Sequence, residues 1–384
     1  MNTFSFHLPT RNEAKSIVEK NDAFLLVERE VEGQKVEIYD YRLASISDFV
    51  DYNAFELRGI TFVQNSSGEW ERNILLNKFF NINQTTGWMY DDVRDKKIVR
   101  IQNKEDGSII SFVKFENGNI RAKSKTSFIS EQATMAQEIY ENDKNFKLFV
   151  DNCLNIGLIP IFELVGSSNQ IVLNYDVDKA LILLQIRRFD GTYLTRNEMD
   201  ILAEDYKVET TVDFSDMTLD ELLELKEISQ DDIEGWVITF DDGQMAKIKT
   251  NKYLSLHGLI GPDAFRENLL VQTILDGNID DVISSLVDGP KKNTIIELDK
   301  KVTHTFNQLV SYFLELRRKY FSEFNCDRAA FAKKYAKTPL FGAVIKTVNL
   351  SDIDLEKVAE KAVKEYITKQ TNSLSKAKEW INSL

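Results

Sequence analysis

Near residue 253 the sequence changes rhythm, and that change limits the folds open to it. Before that point, short apolar runs bounded by turn residues read as strands, many of them alternating with a period of two. Examples are Ile98-Val99-Arg100-Ile101, Ile109-Ile110-Ser111-Phe112-Val113 and Trp236-Val237-Ile238-Thr239-Phe240. After it, residues 265–384 read as helix almost throughout. Residues 298–324 carry Val302, Phe306, Leu309, Val310, Phe313 and Tyr320 as a helical stripe. Further helices fit residues 328–337, 352–369 and 372–384. The expected fold class is α+β, with a β-rich domain over residues 1–253 and an all-α domain over residues 254–384. A chain of 384 residues is long enough for both.

Within the first part, a helix is expected over residues 13–20. Strands are expected at 24–27, 35–39, 60–63, 108–115, 159–165, 171–173 and 181–187. Asn117-Gly118 predicts a hairpin turn, with a return strand starting at Ile120. Lys123 and Lys125 are expected on one face of that return. Ser130 is placed to cap a helix, and another helix fits residues 144–155. Residues 196–230 read as an acidic, helical surface excursion without chemistry.

Composition removes several function classes. With two cysteines and three histidines, no zinc spacing, disulfide framework or Ser-His-Asp triad is expected. No apolar run is long enough to cross a bilayer, and residues 1–11 lack a secretory pattern. A cytoplasmic location is the expectation, with no membrane partner. The net charge of −13 argues against binding polyanions with the whole surface. A confined basic cleft remains open. No Gly-x-x-x-x-Gly-Lys-Ser/Thr loop is present, which disfavours a P-loop ATPase.

Several short stretches carry candidate chemistry. Lys104-Glu105-Asp106-Gly107-Ser108 sits between two strand-like runs. A lysine at a strand end, with a tight turn behind it, is placed to enter a pocket as a nucleophile. Taken alone, Lys-x-Asp-Gly is more often a surface turn than an active site. Arg58 stands beside Gly59 and suits phosphate. In Asn77-Lys78-Phe79-Phe80-Asn81 the rings either stack on a base or fill the core. Glu163 lies in an apolar run, where it is paired structurally or used. Lys247 and Lys249 share one strand face, either around an anion or as guards of an edge. Tyr41 reads as packing.

The ordered set Arg58, Lys78-Phe79-Phe80, Lys104-Glu105-Asp106-Gly107, Phe162-Glu163, Glu234-Gly235 and Lys247-Ile248-Lys249 resembles the covalent nucleotidyltransferase superfamily of polynucleotide ligases and capping enzymes. It is most similar to the ATP-dependent RNA ligases of the T-even phage type, in the RNA ligase 1, tRNA-repair branch. Leu57-Arg58-Gly59-Ile60, Lys123-Ser124-Lys125 and Tyr253-Leu254-Ser255-Leu256-His257 add to the likeness. It covers residues 38–282 and fades afterwards, with a faint echo at Leu340-Phe341-Gly342.

The resemblance implies an ATP-grasp-like ligase fold for the first domain and RNA or tRNA recognition for the second. It implies that Lys104 becomes covalently adenylylated, assisted by Lys247 and Lys249. Arg58 and Lys78 would meet the triphosphate. Tyr41, Phe80, Glu105, Gly107 and Lys123 would complete the nucleotide pocket. Glu163 and Glu234 would bind the ribose or metal-bound water, and Asp280 would be a metal position. The implied cofactors are ATP and Mg²⁺, with Mn²⁺ as a substitute. The implied partner is RNA with 5′-phosphate and 3′-hydroxyl ends, broken tRNA among the candidates, handled by a monomer. Two alternatives stand beside this reading: a nucleotide- or RNA-binding module without ligase chemistry, and another polynucleotide ligase or capping-type enzyme.

Overall fold

The computed structural model describes residues 7–256, 259, 265–350 and 354–384. His257 of the expected motif, Asp352 at an expected helix start and most of the segment read for a secretory signal lie outside the described residues. The described strands are β1 Phe24–Val31, β2 Gln34–Tyr41, β3 Ile60–Gln64, β4 Trp70–Asn73, β5 Phe80–Asn81, β6 Ile98–Lys104, β7 Ser108–Lys114, β8 Ile120–Lys123, β9 Leu158–Val165, β10 Ala180–Arg188, β11 Gly235–Phe240 and β12 Met245–Lys249. They form three four-stranded sheets, ordered β1-β2-β3-β4, β10-β9-β7-β8 and β5-β12-β11-β6. Every pairing is antiparallel except the short parallel contact of β12 with β5. Helices make up the chain after β12, so the class is α+β with a helical C-terminal region.

The Asp106-Gly107 turn does not close a hairpin. β6 pairs with β11, whereas β7 pairs with β8 and β9. The turn therefore carries the chain from one sheet to another, and Lys104 ends the first at the seam. Gly107 is required by packing: a Cβ there would lie 2.2 Å from the Leu164 carbonyl oxygen in β9.

One core is shared by all three sheets, with Tyr39, Ile60, Trp236, Ile238 and Ile161 packed together. The β10-β9-β7-β8 sheet is backed by the helices Glu131–Asn142 and Lys144–Asn155, through Phe112, Phe146, Phe149 and Phe162. Ser130 caps the first of these by accepting from Ala133 N–H, as its position predicts. The helical region has its own core, with Val302, Val310, Phe313, Phe331, Val344 and Val363 fully buried. Arg42 reaches across to Glu356 at 2.7 Å, and Asn307 donates to the Leu43 carbonyl, tying the two regions together.

Four expectations change. Residues 171–173 are not a strand, because the Val172 and Leu173 N–H groups both donate to Asp106 Oδ2 instead of to a ladder. The long helix runs Pro290–Ser322, starting about two turns before the expected residue 298, where Pro290 suits the first helical position. β8 ends at Lys123, so Lys125 lies in the following loop rather than on the strand. The 196–230 excursion also reaches inward: Thr211 accepts from buried Arg100, and Asn103 N–H donates to the Val212 carbonyl.

Candidate active site

Pairing across β6, β11 and β12 sets the chemistry in rows. Lys104 and Lys249 both pair with Gly235, on its two sides, and Gln102 and Lys247 both pair with Val237. Residues opposite one another share a face, so the lysines converge. Gly235 sits between two of them at φ +154°, and a Cβ there would lie 1.9 Å from the Ile248 carbonyl oxygen. Glu234, one residue earlier, bridges the row. Its Oε2 accepts from Lys104 Nζ at 2.7 Å, and its Oε1 lies 2.9 Å from Lys249 Nζ.

The lysines border a cavity of about 340 Å³ between the β5-β12-β11-β6 and β10-β9-β7-β8 sheets. Tyr41, Arg58, Lys78, Lys104, Glu105, Gly107, Glu163, Lys247, Lys249 and Asp280 all line it. Its cationic side is made by Arg58, Lys78 and the lysine row. Arg58 Nε and Nη1 are buried without hydrogen-bond partners, which leaves donors available to an anion. Lys78 lies 3.3 Å from Asp280 Oδ2 and 5.6 Å from the Tyr41 ring.

Burial and charge shift the titrations. Glu163 is pushed up to about 8, chiefly by burial, with Lys104 opposing and Glu234 assisting. Burial lowers Lys247 to about 8, against the pull of Asp281 and Asp280. Burial would also raise Tyr41, but Lys125, Lys78 and Arg58 outweigh it and bring the phenol down to about 8. Lys249 stays well above the ordinary lysine value: burial opposes its charge, but Glu234 and Asp281 prevail.

Three expected residues sit elsewhere than in the cavity wall. Phe80 is fully buried against Phe49, Phe55 and Trp88, while its neighbour Phe79 lines the cavity. Lys123 is sealed behind the cavity, donating to the carbonyls of Gly59, Ser124 and Lys125 at 3.0–3.1 Å. Its burial lowers it to about 7. Glu234 reaches the cavity only through the lysines it bridges. Among the described residues, no three histidine, cysteine or carboxylate side chains form a ready metal cage. Glu234 and Asp280 are instead engaged by lysines.

Sequence reasoning missed several neighbours. Asp281 lies 3.0 Å from Lys249 and accepts from Asn81. Asp106 takes the Tyr253 hydroxyl at 2.8 Å, which locks the turn behind Lys104. Tyr175 donates to Glu105, and Lys125 pairs with buried Asp40 and covers the Tyr41 ring at 4.0 Å. The adjacent acids Asp280-Asp281 were the available signal for Asp281. Nothing local pointed to Tyr175.

The model of a family described as RNA ligase matches residues 56–253. The chain belongs to the RNA ligase family. The match starts after Tyr41 and stops before Asp280 and Asp281, so this RNA ligase completes its cavity with residues on both sides of the family segment. A relative from Thermovibrio ammonificans, named "Putative RNA ligase", is 25% identical over 324 residues, covering 81% of this chain and 80% of the relative. Among solved structures, an archaeal ATP-dependent RNA ligase is similar with a TM-score of 0.47 and 11% identity, over 80% of this chain and 79% of that one. A Naegleria gruberi RNA ligase with PPi has a TM-score of 0.35 and 19% identity, over 61% and 76%.

Proposed function

We propose that this RNA ligase uses ATP and works through a covalent lysyl-AMP intermediate. One observation carries the reading: Lys104 stands at a sheet seam with Arg58, Lys78, Lys247 and Lys249 around the same cavity, and Glu234 accepts from its Nζ. In the first step the neutral Lys104 amine attacks the α-phosphorus of ATP. An N–P bond forms, the P–O bond to pyrophosphate breaks, and pyrophosphate leaves with the bonding pair. Glu234 is the adjacent acceptor for the lysine proton. Arg58 and Lys78 hold the leaving phosphates, while Lys247 and Lys249 hold the α-phosphate. Such transfer depends mainly on positioning and charge stabilisation. Tyr41, Glu105 and Gly107 shape the pocket, with Phe80 and Lys123 supporting it from behind.

The AMP then passes from Lys104 to an RNA 5′-phosphate. Attack by an RNA 3′-hydroxyl forms the phosphodiester and releases AMP. A divalent cation, Mg²⁺ or Mn²⁺, supplies charge stabilisation on the triphosphate when bound. The carboxylates that would hold it are Glu163, Glu234 and Asp280. The donor set fits an ion that keeps several waters and takes few protein carboxylates together with phosphate oxygens. RNA end joining of the T-even phage branch, with broken tRNA as a substrate in repair, is the biological role we infer. A monomer is the form we propose. The role fits the cytoplasm, and among the described residues no helix is long and apolar enough to cross a membrane.

The test is intact-protein mass spectrometry after incubation with ATP and Mg²⁺, beside Lys104→Ala. The expected result is one adenylyl group on the native protein and none on the variant. A folded native protein, cleared of bound AMP, that gains no mass would overturn the mechanism.

A further inference from the structure

β10 contains a bulge, and it changes which residues face the cavity. Leu183 pairs with Phe162, but Gln185 pairs with Ile161, so Leu184 is inserted without a partner. With regular alternation, Leu181, Leu183, Gln185 and Arg187 would share one face. The bulge breaks that phase. Leu181, Leu183 and Ile186 all enter the helix-backed core, while Leu184 and Gln185, adjacent in sequence, both line the cavity. A polar side chain that regular alternation would place in an apolar core is thereby directed between the sheets.

Gln185 is 5% exposed, and its Oε1 is buried with no hydrogen-bond partner. A buried acceptor left unpaired costs about 1–3 kcal/mol, so it calls for an explanation. Around it the cavity is lined by Leu184, Leu76, Val237 and Met245, with Gln102 entering from the opposing sheet. Apolar walls with one free carboxamide suit a flat heterocycle whose edge presents a donor beside an acceptor. Adenine has such an edge, its 6-amino group next to a ring nitrogen, and glutamine pairs with it through two hydrogen bonds. Guanine presents two acceptors, O6 and N7, on the corresponding edge, which one carboxamide cannot satisfy together.

We propose that Gln185 reads the adenine edge of the incoming nucleotide, with Oε1 accepting from the 6-amino group. This rests on the nucleotidyl-transfer reading above. Gln185 is a specificity residue: it touches the base and takes no part in bond making.

The test compares covalent labelling by ATP and by purine riboside triphosphate, which lacks the 6-amino group, in native protein, Gln185→Leu and Gln185→Asn. Native protein is expected to favour ATP in kcat/KM by about ten-fold or more. Both variants should bring that preference close to unity, since the bond to the ring nitrogen is lost with both nucleotides and only ATP loses the 6-amino contact. The ratio within one protein is independent of how much of it folds. The native comparison needs no variant at all. A native protein that labels equally well with both nucleotides, or a labelling variant that keeps the full preference, would overturn the assignment while leaving the lysyl-AMP chemistry intact. A native protein that labels with neither removes the parent reading, and this one with it.

Discussion

The β-rich region and the helical region treat charge in opposite ways. In the first, ion pairs are deep: Arg187 and Glu56 meet at 2.8 Å with side chains 2% and 5% exposed. Lys104, Glu234, Lys249 and Asp281 form a chain of close contacts beside the cavity. In the second, the core is aliphatic and aromatic, and pairs such as Lys364–Asp276, Lys378–Glu267 and Lys319–Glu315 lie near the surface. Asp299 is the informative exception. Burial, with Asp280 nearby, pushes it up to about 7. Buried ion pairs add little stability over well-packed apolar groups, so the β-rich region holds charge where an apolar core would have served stability alone. Part of its buried charge borders the cavity, while Arg187 and Glu56 lie away from it; the helical region contributes Gly277 and Asp280 to the wall and Asp281 behind Lys249.

The largest expected effects contrast the two cores. Glu56→Ala leaves the buried Arg187 charge with only the Leu75 and Gly191 carbonyls as acceptors and should cost about 3–5 kcal/mol, while adding Arg187→Met should restore part of that loss, since those carbonyls then lose their donor. Phe331→Ala, in the aromatic cluster with Tyr320 and Phe341, should cost a similar ~3–5 kcal/mol. No second change at a neighbouring helical position should rescue it. Urea unfolding of Glu56→Ala, Glu56→Ala with Arg187→Met, Phe331→Ala, and Phe331→Ala with Phe341→Leu checks this. Rescue in the helical core and none in the β-rich one would reverse the contrast.

A smaller effect tests the link between the regions. Asp281→Asn removes a carboxylate from Lys249 and should slow lysyl-AMP formation about ten-fold, the factor set by ~1.4 kcal/mol. Single-turnover labelling measures it. An unchanged rate would mean that the helical region stands apart from the chemistry.

The smallest effect depends on pH. Glu163 has its folded pKa raised to about 8 from an ordinary value of 4.5. Between those values the unfolded chain gives up this proton and the folded chain keeps it, so stability falls as pH rises. Glu163→Gln should therefore melt with the native protein at pH 5. At pH 9 it should melt above the native protein, with the gap opening as pH rises past the unfolded value. Parallel melting curves across that range would remove burial as the cause of the shift.

Much of this was legible in sequence where the determinants are local. Lys104 before Asp106-Gly107, the lysines two apart at 247 and 249, and the stripe at Val302, Phe306 and Phe313 each lie within one element. The failures involve phase and distance. Phe79 and Phe80 exchanged places because β5 is only two residues long and shows no alternation. Gln185 was hidden by a bulge, which no local propensity announces. Lys123 looked like a pocket cation because its three carbonyl partners become neighbours only when Gly59 packs against the 124–125 loop. Asp106 read as turn chemistry, although its carboxylate holds Tyr253, 147 residues away.

The carboxylates facing Lys78, Lys104 and Lys249 have a further consequence. The resting cavity is a salt already, rather than a bare electropositive trap. A bare nucleotide that took Lys78, Lys104 or Lys249 from its acid would leave that acid unpaired, whereas Arg58 has buried donors with no partner to give up. One arriving as a complex brings the cation that the displaced carboxylate needs. On the function proposed above, a triphosphate that came with its own cation would disturb these ion pairs less than a bare one.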